Sequence, residues 1–140
     1  MSTQTAQRNK QAISWWIVAT VLIGALLMGT GAVLAFVHPA VLVSPHDEIN
    51  GAVRVYAGYL TARNGVLAVM LVALLALRAR RSLGNLMAIV AFIQILDAVM
   101  DGIEARWTLV PGVFIFGLIY LISATRLSVY PFWRSEAWTA

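Results

Sequence analysis

No cysteine occurs among the 140 residues, which excludes disulfides, thiol redox chemistry, iron–sulfur clusters and thiolate zinc sites. Histidine is almost as scarce. His38 and His46 are the only two, too few for a histidine-rich metal or haem site. Charge is the third shortage: 11% of residues are charged and 61% hydrophobic, whereas a soluble domain carries about 25% charged residues. With a mean hydropathy of +0.82, the chain cannot coat a water-facing surface, and a lipid-facing one is expected. The sequence calls for no cofactor and no metal.

The charge that is present is mostly basic, with a formal net of +4. In a soluble protein this balance would suggest nucleic acid. Here the basic residues sit at the ends of apolar segments, which points to membrane topology and anionic headgroups. No basic face or groove-sized helix is on offer for nucleic acid.

Four apolar runs follow a polar opening stretch, MSTQTAQRNKQA. They cover about 13–37, 51–77, 83–103 and 107–125. Each has the roughly 20 residues needed to cross a hydrocarbon core of about 30 Å. The fold expected is all-α: an integral membrane four-helix bundle forming a single domain over residues 1–140. The first run is too long for the apolar region of a signal peptide. A soluble bundle would need more surface charge than the chain has. The closing stretch, RLSVYPFWRSEAWTA, mixes aromatics with charges and suits the headgroup level, and Trp15, Trp16 and Trp107 read as interfacial anchors.

Basic residues set the orientation. With a cytoplasmic N-terminus, Arg8, Lys10, Arg78, Arg80, Arg81, Arg126 and Arg134 fall inside, and Arg54 and Arg106 outside. The positive-inside rule then predicts both termini cytoplasmic in a multi-pass protein of the cell membrane.

Two polar stripes interrupt the apolar pattern. The third run carries Gln94, Asp97, Asp101 and Glu104, which at about 100° per residue share an arc of roughly 80°. An ionised group facing lipid costs several kcal/mol, so the stripe should face the bundle interior or a water-filled cleft. The second run carries Arg54, Tyr56, Tyr59, Arg63 and Asn64, with Tyr56, Tyr59 and Arg63 on one face. A short connection makes neighbouring helices antiparallel. Counting from the basic turn near residue 80, Arg63 falls level with Asp97, Tyr59 with Asp101, and Tyr56 with Glu104. Arg63 and Asp97 are then about 24 Å from the turn at 1.5 Å per residue, in the outer half of the bilayer. The expectation is a buried polar cleft opening outward.

Asp97 and Asp101 lie one turn apart, where two ionised carboxylates are unfavourable without an arginine between them. That is an arrangement general acid–base chemistry uses. Asp97, Asp101, Arg63 and Tyr59 are therefore the candidate catalytic residues, and Asn64, Tyr56, Gln94, Glu104 and Arg54 the candidate substrate-binding ones. A plain packing role for a buried Arg63–Asp97 pair stands beside this reading. Smaller signals are the His46-Asp47-Glu48 loop, read as solvated rather than metal-binding, and Pro111, read as shaping a first helical turn. Gly24, Gly29 and Gly31, with Gly112 and Gly117, suit close helix approach.

The segment RVYAGYLTARNGVLAVMLVALLALRARRSLGNLMAIVAFIQILDAVMD resembles the core of small DoxX-like four-helix membrane proteins. The likeness rests on Arg63-Asn64-Gly65, the basic Arg80-Arg81 turn and Asp97, and covers roughly 51–125. It implies the four-helix fold. DoxX-type proteins include a subunit of a quinone-reducing sulfur oxidoreductase, while most relatives have no assigned role. Asn64 stands where relatives often have aspartate, and Asp101 and Glu104 are additions.

Three functions are compatible with these residues. The first is a membrane-embedded acid–base enzyme acting on a lipophilic small molecule, of epoxide hydrolase, isomerase or cyclase type. Its Asp–Arg–Asp constellation with tyrosine and asparagine resembles the site of limonene-type epoxide hydrolases, whose fold is unrelated. The second is a non-catalytic quinone- or lipid-binding accessory subunit of a membrane complex. The third is a proton-coupled small transporter, for which four helices are few, so a homodimer would be needed.

Overall fold

Four apolar runs become four helices in the computed structural model, which describes residues 13–43, 48–128 and 134–135. We label them α1 (Trp15–Val37), α2 (Gly51–Ala76), α3 (Arg80–Ile103) and α4 (Val110–Leu127). A 3-10 turn, Pro39–Leu42, follows α1, and no strand occurs among the described residues. All four helices are long and apolar enough to cross a membrane. The chain is an all-helical, multi-pass integral membrane protein. His46 and Asp47 lie outside the described residues, as do the polar opening stretch and most of the aromatic closing stretch.

The helix ends have identifiable causes. Asn50 caps α2, its side-chain oxygen accepting the Val53 N–H at 3.1 Å, which satisfies one of the donors a helix start leaves unbonded. At the other end of α2, Arg78 takes a left-handed backbone conformation (φ 52°). Its N–H donates to the Leu75 carbonyl and that of Ala79 to the Leu74 carbonyl, both at 3.0 Å. This is a Schellman turn, usually built on glycine. The end of α3 repeats it with Ala105 (φ 57°). The N–H of Ala105 donates to Gly102 at 3.2 Å and that of Arg106 to Asp101 at 2.8 Å.

These turns move two boundaries. Because the first turn closes at Ala79, α3 starts at Arg80, three residues before the apolar run expected from Leu83. Because Ala105 ends α3 and Leu109 bonds back to Arg106 at 2.9 Å, α4 starts at Val110 rather than Trp107. Pro111 sits in its first turn, where the missing N–H costs nothing.

The chain divides into two compact units, one of Val21–Ala73 and the other of the described residues up to Thr20 and from Leu74 on. In the first unit, Val21, Ala25, Met28, Ala32 and Ala35 of α1 are buried at helical spacing, and α2 buries Ala57, Ala68 and Leu71. Thr61 joins the two helices: its hydroxyl donates to the Ala32 carbonyl at 3.0 Å and also reaches that of Ala57 at 2.8 Å. Lipid gives apolar side chains no hydrophobic reason to associate, so small residues and such bonds carry the pairing.

In the second unit α3 and α4 run antiparallel. A methyl group on Gly84 would lie 3.1 Å from Leu127 Cβ, and one on Gly117 would lie 3.2 Å from Ile95 Cγ1 and 3.3 Å from the Ala91 carbonyl. Both glycines are thus places where the helices nearly touch. Around these contacts Leu83, Met87, Val90 and Tyr120 are fully buried, and the Phe116 and Tyr120 rings meet at 5.4 Å.

Candidate functional site

The α2 stripe is positioned by the small residues of the same helix. Ala57, Thr61, Asn64 and Ala68 recur at spacings of four, three and four, and Thr61 bonds α1. Counting 100° per residue, the face of Tyr56, Tyr59 and Arg63 lies roughly 130° around the helix from that row. The α1 contact therefore does not cover it. Tyr56 is 57% exposed and Tyr59 73%, so the rings are offered to the surroundings of the unit rather than enclosed by it. Arg54 is exposed too, whereas Arg63 is half-buried.

Asn64 belongs to the α1-facing row. A methyl group on Gly31 of α1 would lie 3.8 Å from Asn64 Nδ2, so that glycine gives the amide its room. On its other side the amide oxygen accepts the Arg63 Nε–H at 3.3 Å. The guanidinium is thereby held by a residue that is itself seated against α1. The glycines of α1 divide in the same way. Gly24 is buried and Gly31 admits Asn64, but Gly29 has open space beside it.

The α3 stripe is set by the contact with α4. Gln94 packs over Gly117, its Cβ 3.3 Å from where a methyl group there would stand. One and two turns on, Asp97 and Asp101 are half-buried, and Glu104, beyond the helix end, is exposed. Asp101 and Arg106 are brought together locally. The left-handed Ala105 folds the chain back so that the Arg106 N–H reaches the Asp101 carbonyl, and Arg106 Nη1 then lies 3.5 Å from Asp101 Oδ1. The side chains are 16% exposed for Asp101 and 37% for Arg106. At that distance the contact is an ion pair rather than a tight hydrogen bond. Beside it, the Trp107 ring lies against Gly102, 3.8 Å from where a methyl group would be, and is 67% exposed, as suits a membrane-interface tryptophan.

Counting residues from the basic turn gave no sign of the Asp101–Arg106 partnership, which is a product of the turn at the end of α3. Its signal in the sequence is the spacing of five that a Schellman turn closes. Thr61 is marked in the sequence only by its place in a row of small residues. Among the described residues no group of three His, Asp or Glu side chains could hold a metal ion. What the two stripes supply is a pair of carboxylates one turn apart with an arginine on one of them, and an amide-held arginine with two tyrosines. No family model, no curated protein and no solved structure matches this chain.

Proposed function

We propose that this membrane protein is a membrane-embedded acid–base enzyme acting on a lipophilic small molecule, by epoxide opening, isomerisation or cyclisation. The observation that carries the reading is the Asp101–Arg106 ion pair one turn from Asp97. Arg106 balances the charge of Asp101, and Asp97 is the group that exchanges the proton. Arg63, steadied by Asn64, orients the substrate, and Tyr59 donates a hydrogen bond to it. In epoxide opening, water would lose a proton to Asp97 as its oxygen bonds to a ring carbon. The carbon–oxygen bond breaks and the ring oxygen takes the proton back.

The test uses the full chain in lipid nanodiscs with a panel of terpene-type epoxides. Asp97→Asn should keep the helical circular dichroism signal and lose turnover by at least about 100-fold, the low end for general acid–base catalysis. Full turnover in folded Asp97→Asn and Asp101→Asn proteins would sink the reading.

A second reading, a quinone- or lipid-binding accessory subunit, is favoured by the exposure of Tyr59 and Tyr56, whose rings suit stacking against a flat lipophilic ring. It predicts a co-purifying lipophile, seen by mass spectrometry, that Tyr59→Ala removes and Asp97→Asn keeps. We place the chain in the cell membrane with both termini cytoplasmic, on the distribution of its basic residues. Membership of the DoxX-like proteins is proposed on Arg63-Asn64-Gly65, Arg80-Arg81 and Asp97.

A further inference from the structure

The second unit carries its charge at two opposite ends. A methyl group on Gly84 would lie 3.1 Å from Leu127 Cβ, and one on Gly102 would lie 3.9 Å from Val110 Cγ2. The start of α3 and the end of α4 are therefore side by side, which gathers Arg78, Arg80, Arg81 and Arg126 at one end of the hairpin. Asp97, Asp101 and Glu104 occupy the other end. Along α3, Asp97 is sixteen residues beyond Arg81, or about 24 Å.

For α3 this order is the reverse of what a helix favours. A helix N-terminus carries partial positive charge and stabilises acids, and a C-terminus stabilises bases. The first turn of α3 instead holds Arg80 and Arg81, with no acidic residue and no side-chain cap at Ala79. The turn before it adds Arg78, which occupies a left-handed position where glycine would be easier. Helix stability therefore does not account for Arg80 and Arg81, whereas Arg78, just past the end of α2, and Arg126, in the last turn of α4, stand where a helix favours cations. Arg78 and Arg126 are both exposed.

We propose that this end of the α3–α4 hairpin binds the headgroup of an anionic phospholipid. Arg78 and Arg126 contact the phosphate, and Arg80 and Arg81 with the start of α3 supply the surrounding positive field. A lipid suits the place better than a soluble anion, because α3 and α4 are membrane-spanning and their ends lie at headgroup depth. The inference is independent of the proposed enzymatic site, whose acids lie at the other end.

The experiment is native mass spectrometry of the full chain released from nanodiscs of mixed phosphatidylcholine and phosphatidylglycerol. Phosphatidylglycerol should be retained over phosphatidylcholine by tenfold or more. Each arginine near a membrane surface contributes about fivefold to such binding, so Arg78→Gln with Arg126→Gln should remove most or all of that preference. Arg78→Lys with Arg126→Lys should keep most of the preference. Equal retention of the two lipids by the unaltered chain would overturn the proposal, with no variant needed. So would a shift of the thermal midpoint by inorganic phosphate in pure phosphatidylcholine nanodiscs equal to that from phosphatidylglycerol, since the site would then take any free anion.

Discussion

The hydroxyl of Thr61 donates to the main-chain oxygen of Ala32 at 3.0 Å, the bond that ties the middle of α2 to the last third of α1. Interhelical hydrogen bonds in membranes are worth about 0.6 kcal/mol on average and reach ~1.7. Thr61→Val keeps the shape and removes the donor. It should lower stability within that range in a denaturation series in mixed micelles, while Thr61→Ser should recover most of the loss. No difference between the valine and serine variants would mean that only the shape at position 61 matters.

The glycines of α4 should separate cleanly. Gly117→Ala sets a methyl group 3.3 Å from both a main-chain carbonyl and Gln94 Cβ, neither of which can swing away. A cost of about 1–3 kcal/mol is expected, as for overpacking elsewhere. Gly112→Ala meets nothing within 4 Å and should gain up to about 1 kcal/mol from helix propensity. Comparing thermal midpoints of the two variants in the same detergent decides the matter.

Ala105 holds a left-handed conformation at φ 57°, at a cost of about 1–2 kcal/mol for a residue with a Cβ. Ala105→Gly should raise stability by up to about 1 kcal/mol, reduced by the greater freedom glycine has when unfolded. Ala105→Val should do the opposite. A midpoint lowered by glycine would show that the turn at the end of α3 is not the one described.

For Asp101 and Arg106 a double-mutant cycle is the appropriate measurement. Arg106 is 37% exposed and the pair is 3.5 Å apart, so a coupling of about 0.2–1 kcal/mol is expected from Asp101→Asn and Arg106→Gln. A coupling well above ~2 kcal/mol would place the pair in a far drier setting.

Much of the fold could be read from the residues, because an apolar run of twenty or more without breakers permits little other than a spanning helix. Pro111 in a first turn followed from its missing N–H. The starts of α3 and α4 did not follow. They depend on Arg78 and Ala105 accepting a left-handed conformation that composition gives no reason to assign to them. The stripes were legible as faces, since helical spacing fixes which residues of one helix point together. Which face a neighbour takes was not. Small residues mark every helix here, yet Gly84 and Gly117 lie in tight contacts while Gly29 and Gly112 face open space. Asn64 illustrates the difference: grouped with Arg63 by adjacency, it turns out to share its row with Thr61 and to sit beside Gly31.

The unequal lengths of the paired helices have a mechanical consequence. At 1.5 Å per residue, the 18 residues of α4 span about 27 Å and the 24 residues of α3 about 36 Å. The two are pinned by Gly84 against Leu127 and by Gly117 against Gln94, so neither can slide to share the difference. The shorter helix matches a thin hydrocarbon layer, and the longer one overshoots it. In a thicker bilayer, α3 can lose tilt but α4 must draw its polar ends inward, at a fraction of a kcal/mol per ångström. The hairpin therefore fits a thin bilayer with less distortion than a thick one.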